Sequence, residues 1–263
     1  RRGGASALLG DALRRDAVDV HHPASRAARR TYLGQFHEGA RQGVGAELLA
    51  GGEGFLGVWG AGKRHGVGRC VLPDGSIFEG EIEAGAIHGR GRMVYANGDT
   101  YIGSWVRGAR HGMGLMTRLL PGTVGGADLY HGEWRDDRPG GHGSASYENG
   151  DEFAGEWADG QRQGQGVSKY ADGSVYEGEW RASQRHGKGT HKSADGSIYS
   201  GDWYCDERSG AGRQKQIVAE EPTAQLRQGR QLAFLEDGGL RAALKTFGFG
   251  GALGEQREPV QFA

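Results

Sequence analysis

Four histidines, His65, His88, His111 and His186, are separated by 23, 23 and 75 residues, and regularly placed imidazoles raise metal ligation first. Five carboxylates, Glu81, Glu133, Glu156, Glu179 and Asp202, follow the same spacing and raise general acid–base chemistry. Six arginines, Arg41, Arg64, Arg110, Arg162, Arg185 and Arg208, form a third series that suits anionic lipid headgroups or an acidic partner. Two thiols, Cys70 and Cys205, complete the reactive set. Within each series the intervals are multiples of 23, plus six wherever the span crosses residues 118–128. Side chains that recur so evenly belong to a repeated element, and that element decides what they can do together.

Alignment on an aromatic followed two residues later by Gly gives Tyr32, Phe55, Phe78, Tyr101, Tyr130, Phe153, Tyr176 and Tyr199, the starts of eight units. With the aromatic as position zero, position two is Gly in all eight. Position four is Trp59, Trp105, Trp134, Trp157, Trp180 or Trp203, with Phe36 and Ile82 in the remaining units. All six tryptophans of the chain therefore fill one repeat position as structural residues. Positions eleven and thirteen are Gly throughout. Gly thus fills 52 of 263 positions, about 20% against an average near 7%, with neither the Pro content nor the triplet period of collagen.

Aromatic-x-Gly-x-Trp has period two, so it predicts a strand with its rings and Gly on one face. Asp74-Gly75, Asn97-Gly98, Asn149-Gly150, Asp172-Gly173 and Asp195-Gly196 supply turns between units. Each unit is then one β-hairpin, and the glycines leave room for Tyr and Trp rings to lie across the backbone. Eight such hairpins make a sheet about 75 Å long.

On this frame the reactive series separate. Equivalent histidines stand ~10 Å apart on neighbouring hairpins, whereas zinc holds its ligands at ~2 Å, so they read as loop residues and not as a metal site. The period-matched carboxylates read as a solvated face. The thiols lie about 55 Å apart, too far for a disulfide. No phosphate-binding loop, nucleophile elbow or zinc-protease motif occurs, so we expect no catalytic residue, no cofactor and no metal. Lys plus Arg at 32 against Asp plus Glu at 33 gives a net charge of −1, which disfavours nucleic acid as a partner. No apolar run is long enough to span a bilayer as a helix.

Tyr176-Glu-Gly-Glu-Trp180 followed by His186-Gly-Lys-Gly189 resembles the MORN repeat (membrane occupation and recognition nexus), and the resemblance covers residues 32–212. It implies an all-β, elongated, twisted, single-layer antiparallel sheet. Its members include membrane-junction proteins, appendages of lipid kinases and methyltransferases, and ciliary spoke-head scaffolds. Departures here are Ile82 for Trp, Arg138-Pro139-Gly140 where Arg-His is usual, and the six-residue insertion.

Three regions are expected. Residues 1–31 form a flank with a short helix around Leu8, Leu9 and Leu13; residues 32–212 form the sheet; residues 213–263 form a docking segment with a helix from Pro222 to about Glu236 and another over Leu240–Phe247. The most informative pattern lies on the face opposite the rings. Units one, two and four place Leu33, Leu56, Val58, Ile102, Met113 and Leu115 there, whereas units five to seven place Glu133, Glu156, Glu177 and Glu179. Such an asymmetry predicts a partner-covered surface. The expectation is a non-enzymatic cytoplasmic scaffold of a large cytoskeletal assembly, with the axoneme of a cilium or flagellum as its setting. The alternatives are a peripheral module that binds anionic phospholipid through the arginine series, and the targeting region of a larger enzyme.

Overall fold

The computed structural model describes residues 30–120, 122 and 126–215. The expected flanking helices lie outside the described residues. The first four units supply β1 (Arg30–His37), β2 (Ala40–Leu49), β3 (Gly54–Gly60), β4 (Lys63–Val71), β5 (Ile77–Glu83), β6 (Ala86–Val94), β7 (Thr100–Val106) and β8 (Ala109–Leu119). The last four supply β9 (Ala127–Arg135), β10 (Arg138–Ser146), β11 (Glu152–Ala158), β12 (Gln161–Lys169), β13 (Val175–Arg181), β14 (Gln184–Lys192), β15 (Ile198–Tyr204) and β16 (Glu207–Lys215). They form one sixteen-stranded antiparallel sheet in sequence order, and no described helix interrupts it.

Each hairpin closes through two residues in the left-handed region, such as Ala61 (φ 47°) and Gly62 (φ 77°), the geometry of a type I′ turn. The turns also hold one another. Gly62, Gly85 and Gly108 donate their N–H groups to the carbonyls of Arg41, Arg64 and Ile87, each in the preceding unit. Between units, the Asp99, Asp128 and Asp151 carboxylates accept from the backbone N–H groups of Leu119, Glu148 and Ala171.

The core is one face of this sheet. Each position-zero ring lies across the two glycines of its own hairpin, where a Cβ would overlap it. The indole at position four then stands on edge between two such rings. From Phe78 to Tyr199, eleven rings form an unbroken column with centroids 5.0 to 5.7 Å apart and planes crossed at 81° to 89°. This is the edge-to-face arrangement that ring quadrupoles favour. Each Trp Nε1 donates to a glycine carbonyl of the preceding unit, Trp180 to Gly166 at 3.2 Å, for example.

Ile82 breaks the column. Phe36, Tyr32, Trp59 and Phe55 make a separate short one in units one and two. Aliphatic Ile82 is buried but has no N–H to offer the Gly68 carbonyl and no ring for its neighbours. The β4–β5 ladder itself is continuous from Gly66↔Ile82 to Val71↔Ile77. Between the two ring columns the ring face carries Ile82 and the buried Cys70, which pairs with Phe55 on one side and Phe78 on the other.

Candidate partner-docking face

Strand two of every hairpin carries a two-residue bulge. In unit two, Gly57 pairs with Gly68 but Val58 pairs with His65, leaving Gly66 and Val67 extra on β4. The position-eleven glycines adopt φ of 56° to 79° at this bulge, which is why Gly recurs there. A single extra residue would exchange the two faces of the strand; two extra residues preserve them. The outer-face assignment therefore holds along both strands.

The bulge frees a backbone donor, and the carboxylates at position three accept it. Glu133, Glu156 and Glu179 take the N–H groups of His142, Gln165 and Lys188 at 2.9 Å, and Glu81 takes that of Arg90 at 3.2 Å. Four of the five carboxylates expected to form only a solvated face are bulge acceptors, and the fifth, Asp202, pairs with Lys188 at 2.5 Å. Unit two has Val58 at this place and unit four has Ser104. In unit two, an apolar side chain has replaced a structural acceptor on the outer face.

Two cross-strand rows run along that face. One passes from Leu33 through Ala46 and Leu56 to Arg69, Glu79 and Arg92, then to Ile102, Leu115 and His131. The other pairs Val44 with Val58, Val67 with Glu81 and Met113 with Glu133. The six apolar residues expected on a covered surface divide in two. Ile102 and Leu115 pair with each other and are buried, at 9% and 5% exposure, with Arg92 and the half-buried His131 on either side. Burial pulls the His131 imidazole below its ordinary pKa, towards the neutral form. Leu33 is intermediate, and Leu56, Val58 and Met113 are exposed. Around Leu56 and Val58 stand Val44, Leu48 and Val67, each more than half exposed. An apolar groove of about 320 Å³ opens between Leu33, Ala46, Leu48, Leu56 and Val71.

The six arginines lie on the opposite, ring-bearing face. Arg41, Arg110, Arg162 and Arg185 place their guanidinium carbons 4.3 to 4.7 Å from the rings of Trp59, Trp134, Trp180 and Trp203 in the following unit. Arg64 covers Phe55 at 5.1 Å and Arg208 covers Tyr199 at 4.6 Å. Arg110, Arg162 and Arg185 also donate to the Asp137, Ser183 and Asp206 carbonyls. Much of the hydrogen-bonding capacity that an anion would use is engaged within the fold.

Arg64 has no tryptophan ahead of it, because that place is Ile82. It turns instead to Glu47, whose side chain is only 2% exposed and is also held by Arg41 at 2.7 Å and Arg30 at 2.9 Å. Burial alone would raise the Glu47 carboxyl pKa; hydrogen bonds from Arg64 and Arg41, with the charges of Arg41 and Arg30, bring it below its ordinary value. A carboxylate with a depressed folded-state pKa stabilises the fold above its unfolded pKa, and that contribution is lost as pH falls through the folded value. Glu47→Gln is expected to cost about 1–3 kcal/mol near pH 7, a difference that shrinks as pH falls below about 4 and is lost only below the depressed folded-state pKa. Urea unfolding at both pH values measures it, and a pH-independent difference would show that charge is not the cause.

The histidines sit beside the hairpin turns, His88 3.6 Å from Glu83 and His111 3.7 Å from Asp136. Cys70 is a buried free thiol on the ring face, and Cys205 an exposed one in a turn. No described helix is long and apolar enough to cross a membrane.

The MORN repeat family model matches residues 32–53, 55–77, 78–100, 101–118, 130–152, 153–175, 176–198 and 199–215, the eight units defined by the aromatic spacing. The repeat is a non-enzymatic module for interaction with proteins or membranes, and the match indicates no catalytic family. A comparison with curated proteins finds no match. Among solved structures, the SAS-4 (dCPAP) TCP domain in complex with a proline-rich motif of Ana2 (dSTIL) of Drosophila melanogaster is 11% identical. That match covers 69% of this chain and 94% of the other, with a TM-score of 0.37. The TCP10 domain of Danio rerio CPAP with a STIL peptide is also 11% identical, covering 65% and 84% with a TM-score of 0.25. With all eight hairpins matched in sequence and paired in order in the sheet, the chain belongs to the MORN-repeat family.

Proposed function

We propose that this chain is a non-enzymatic scaffold that holds partner proteins on the outer face of its first four hairpins, in a large cytoskeletal assembly such as a ciliary axoneme. The observation that carries the reading is the concentration of Val44, Leu48, Leu56, Val58 and Val67, all exposed, on one face of β2–β4. An exposed strand gains nothing in solubility from this series, and burying it would contribute on the order of 5–8 kcal/mol before the cost of association. The axonemal setting rests on the family resemblance together with a chain in which the hairpins dominate. The ring face, with its arginines stacked and hydrogen-bonded, supports a structural role for that series.

Leu56→Glu with Val67→Glu tests the reading, since both residues are exposed and neither touches the ring columns. We expect the double variant to melt as the parent does and to lose recovery with the cytoskeletal fraction from a native source. Normal recovery would defeat the docking reading. Binding to phosphoinositide vesicles at ~0.15 M salt, abolished by Arg64→Glu plus Arg110→Glu, would replace it with the membrane reading.

A further inference from the structure

We propose that copies of this chain join head to tail, the outer edge of β16 in one copy taking β1 of the next as the sheet takes each following hairpin. The inference goes beyond the docking reading and uses neither Leu56 nor Val58. Among the described residues the sheet runs from β1 to β16, and one edge of each of these strands has no partner strand.

The seven junctions between units show what such an edge accepts. Strand two of one unit meets strand one of the following unit, as in the six pairs from Gly43↔Trp59 to Leu48↔Gly54. At all seven, position seven of the later unit donates its N–H to the position-nine carbonyl of the earlier one, from Gly62 to Arg41 in the first and Asp206 to Arg185 in the last. The position-four ring enters beside the earlier unit's position-zero ring, Trp203 against Tyr176 at 5.2 Å. The earlier unit's arginine covers it, Arg185 at 4.4 Å.

The two ends of the sheet carry the two halves of this junction. β1 offers the Gly39 N–H and the Phe36 ring, which is 44% exposed. β16 offers the Arg208 carbonyl, with the Arg208 guanidinium lying 4.6 Å over Tyr199 of its own hairpin. In the register of the internal junctions, Gly210 faces Phe36, Gly212 faces Gly34, Arg213 faces Leu33 and Lys215 faces Thr31, so no like charges meet. Phe36 lacks the N–H that a tryptophan would give the Gly212 carbonyl. Ile82 lacks it too, and its ladder with β4 is continuous. Neither edge strand contains proline, and the cations of β16 are not peculiar to an edge. Arg213 holds the repeat position of Arg69 and Arg92, and Lys215 that of Lys169 and Lys192, all on strands inside the sheet.

A symmetrical joint of β16 with β16 fits less well. It brings together two second strands, a pairing found at none of the internal junctions, and supplies no position-four ring to stand between the two Tyr199 rings. The head-to-tail contact is heterologous, leaving a β1 and a β16 open at the ends of every assembly, and it repeats the docking face about every 75 Å.

Sedimentation velocity of the full chain from about 1 to 100 μM tests this, in reductant because Cys205 is exposed. We expect mass to rise with concentration through dimer and trimer. Two substitutions act on opposite ends. Counted from the Leu72 N–H that donates to the Ser76 carbonyl, ladder bonds alternate, so position fifteen turns its N–H towards the following unit. Gln214 holds that position at the outer edge of β16. Gln214→Pro removes the donor and should leave a folded monomer. Mixed with the parent, this variant still presents β1 and should shorten the assemblies. Phe36→Trp restores the position-four ring and donor, and should lower the concentration for half-assembly about tenfold. Parent and Phe36→Trp chains that both stay monomeric at about 100 μM would overturn the proposal. Assemblies that stop at dimer, or growth that Gln214→Pro leaves unchanged, would overturn it as well.

Discussion

Trp180→Ala is expected to cost about 4–5 kcal/mol, and Trp157→Ala about 1 kcal/mol less. Both indoles stand edge-on between two rings, Trp180 between Phe153 and Tyr176, Trp157 between Tyr130 and Phe153. Both donate to a glycine carbonyl at 3.2 Å. They differ in what covers them. Arg162 lies 4.3 Å over Trp180, whereas the residue equivalent to Arg162 ahead of Trp157 is Pro139, and Trp157 is the more exposed of the two. Deleting either indole leaves a void between fully buried or nearly buried rings that the sheet cannot collapse into, because backbone hydrogen bonds fix the strand spacing. Urea unfolding of both variants measures the losses. Equal losses would show that the guanidinium contributes nothing to the column, and losses near 1 kcal/mol at both sites would show that the rings do not stabilise the stack.

The ring columns were legible in the sequence because one repeat position carries one job. Tyr176, Gly178 and Trp180 face the same side by simple alternation, and the spacing of 23 returns them to the same place in each hairpin. The position-three carboxylates were not legible. Glu156 looks like a solvated acid until the bulge at Gly164 and Gln165 presents its orphaned N–H, and nothing in the spacing announces a bulge of two. The arginine series was visible as a row but not as a set of ring covers, since Arg162 reaches a tryptophan of the next hairpin, Trp180, across the strand order. Its partner choice depends on what that hairpin offers. Arg64 shows this, turning to Glu47 because the following unit presents Ile82. On the outer face, Leu56 and Ile102 occupy the same repeat position, yet one is 37% exposed and the other 9%. Repeat position sets the face; cross-strand neighbours set the burial. Leu56 lies between Ala46 and Arg69, and Ile102 between Arg92 and Leu115.

Gly91→Ala should lower stability by about 3 kcal/mol, although it adds one methyl group to a strand with ordinary backbone angles. A Cβ at Gly91 would overlap the Phe78 ring, and Phe78 is fully buried with Trp105 against it at 5.7 Å. The ring cannot rotate away without parting from the glycine pair Gly80 and Gly91 that it lies across, and moving it disturbs the end of the long column. Gly75→Ala makes the contrast. Gly75 has φ of 88° in the turn between units two and three, and no atom lies within 4 Å of the added Cβ. Its cost is backbone strain alone, about 1–2 kcal/mol, confined to one loop. Two glycine positions of the repeat, sampled here in neighbouring units, are thus required for unlike reasons, one for the space above it and one for its dihedral angle. Replacement by D-alanine through semisynthesis separates them, because it relieves the strain at Gly75, whereas at Gly91 it only turns the methyl from the ring into the plane of the sheet, towards a neighbouring strand. If D-alanine were no better than L-alanine at Gly75, the turn strain would not be the reason for glycine there. If L-alanine at Gly91 cost less than L-alanine at Gly75, the ring-over-glycine account of the core would fail.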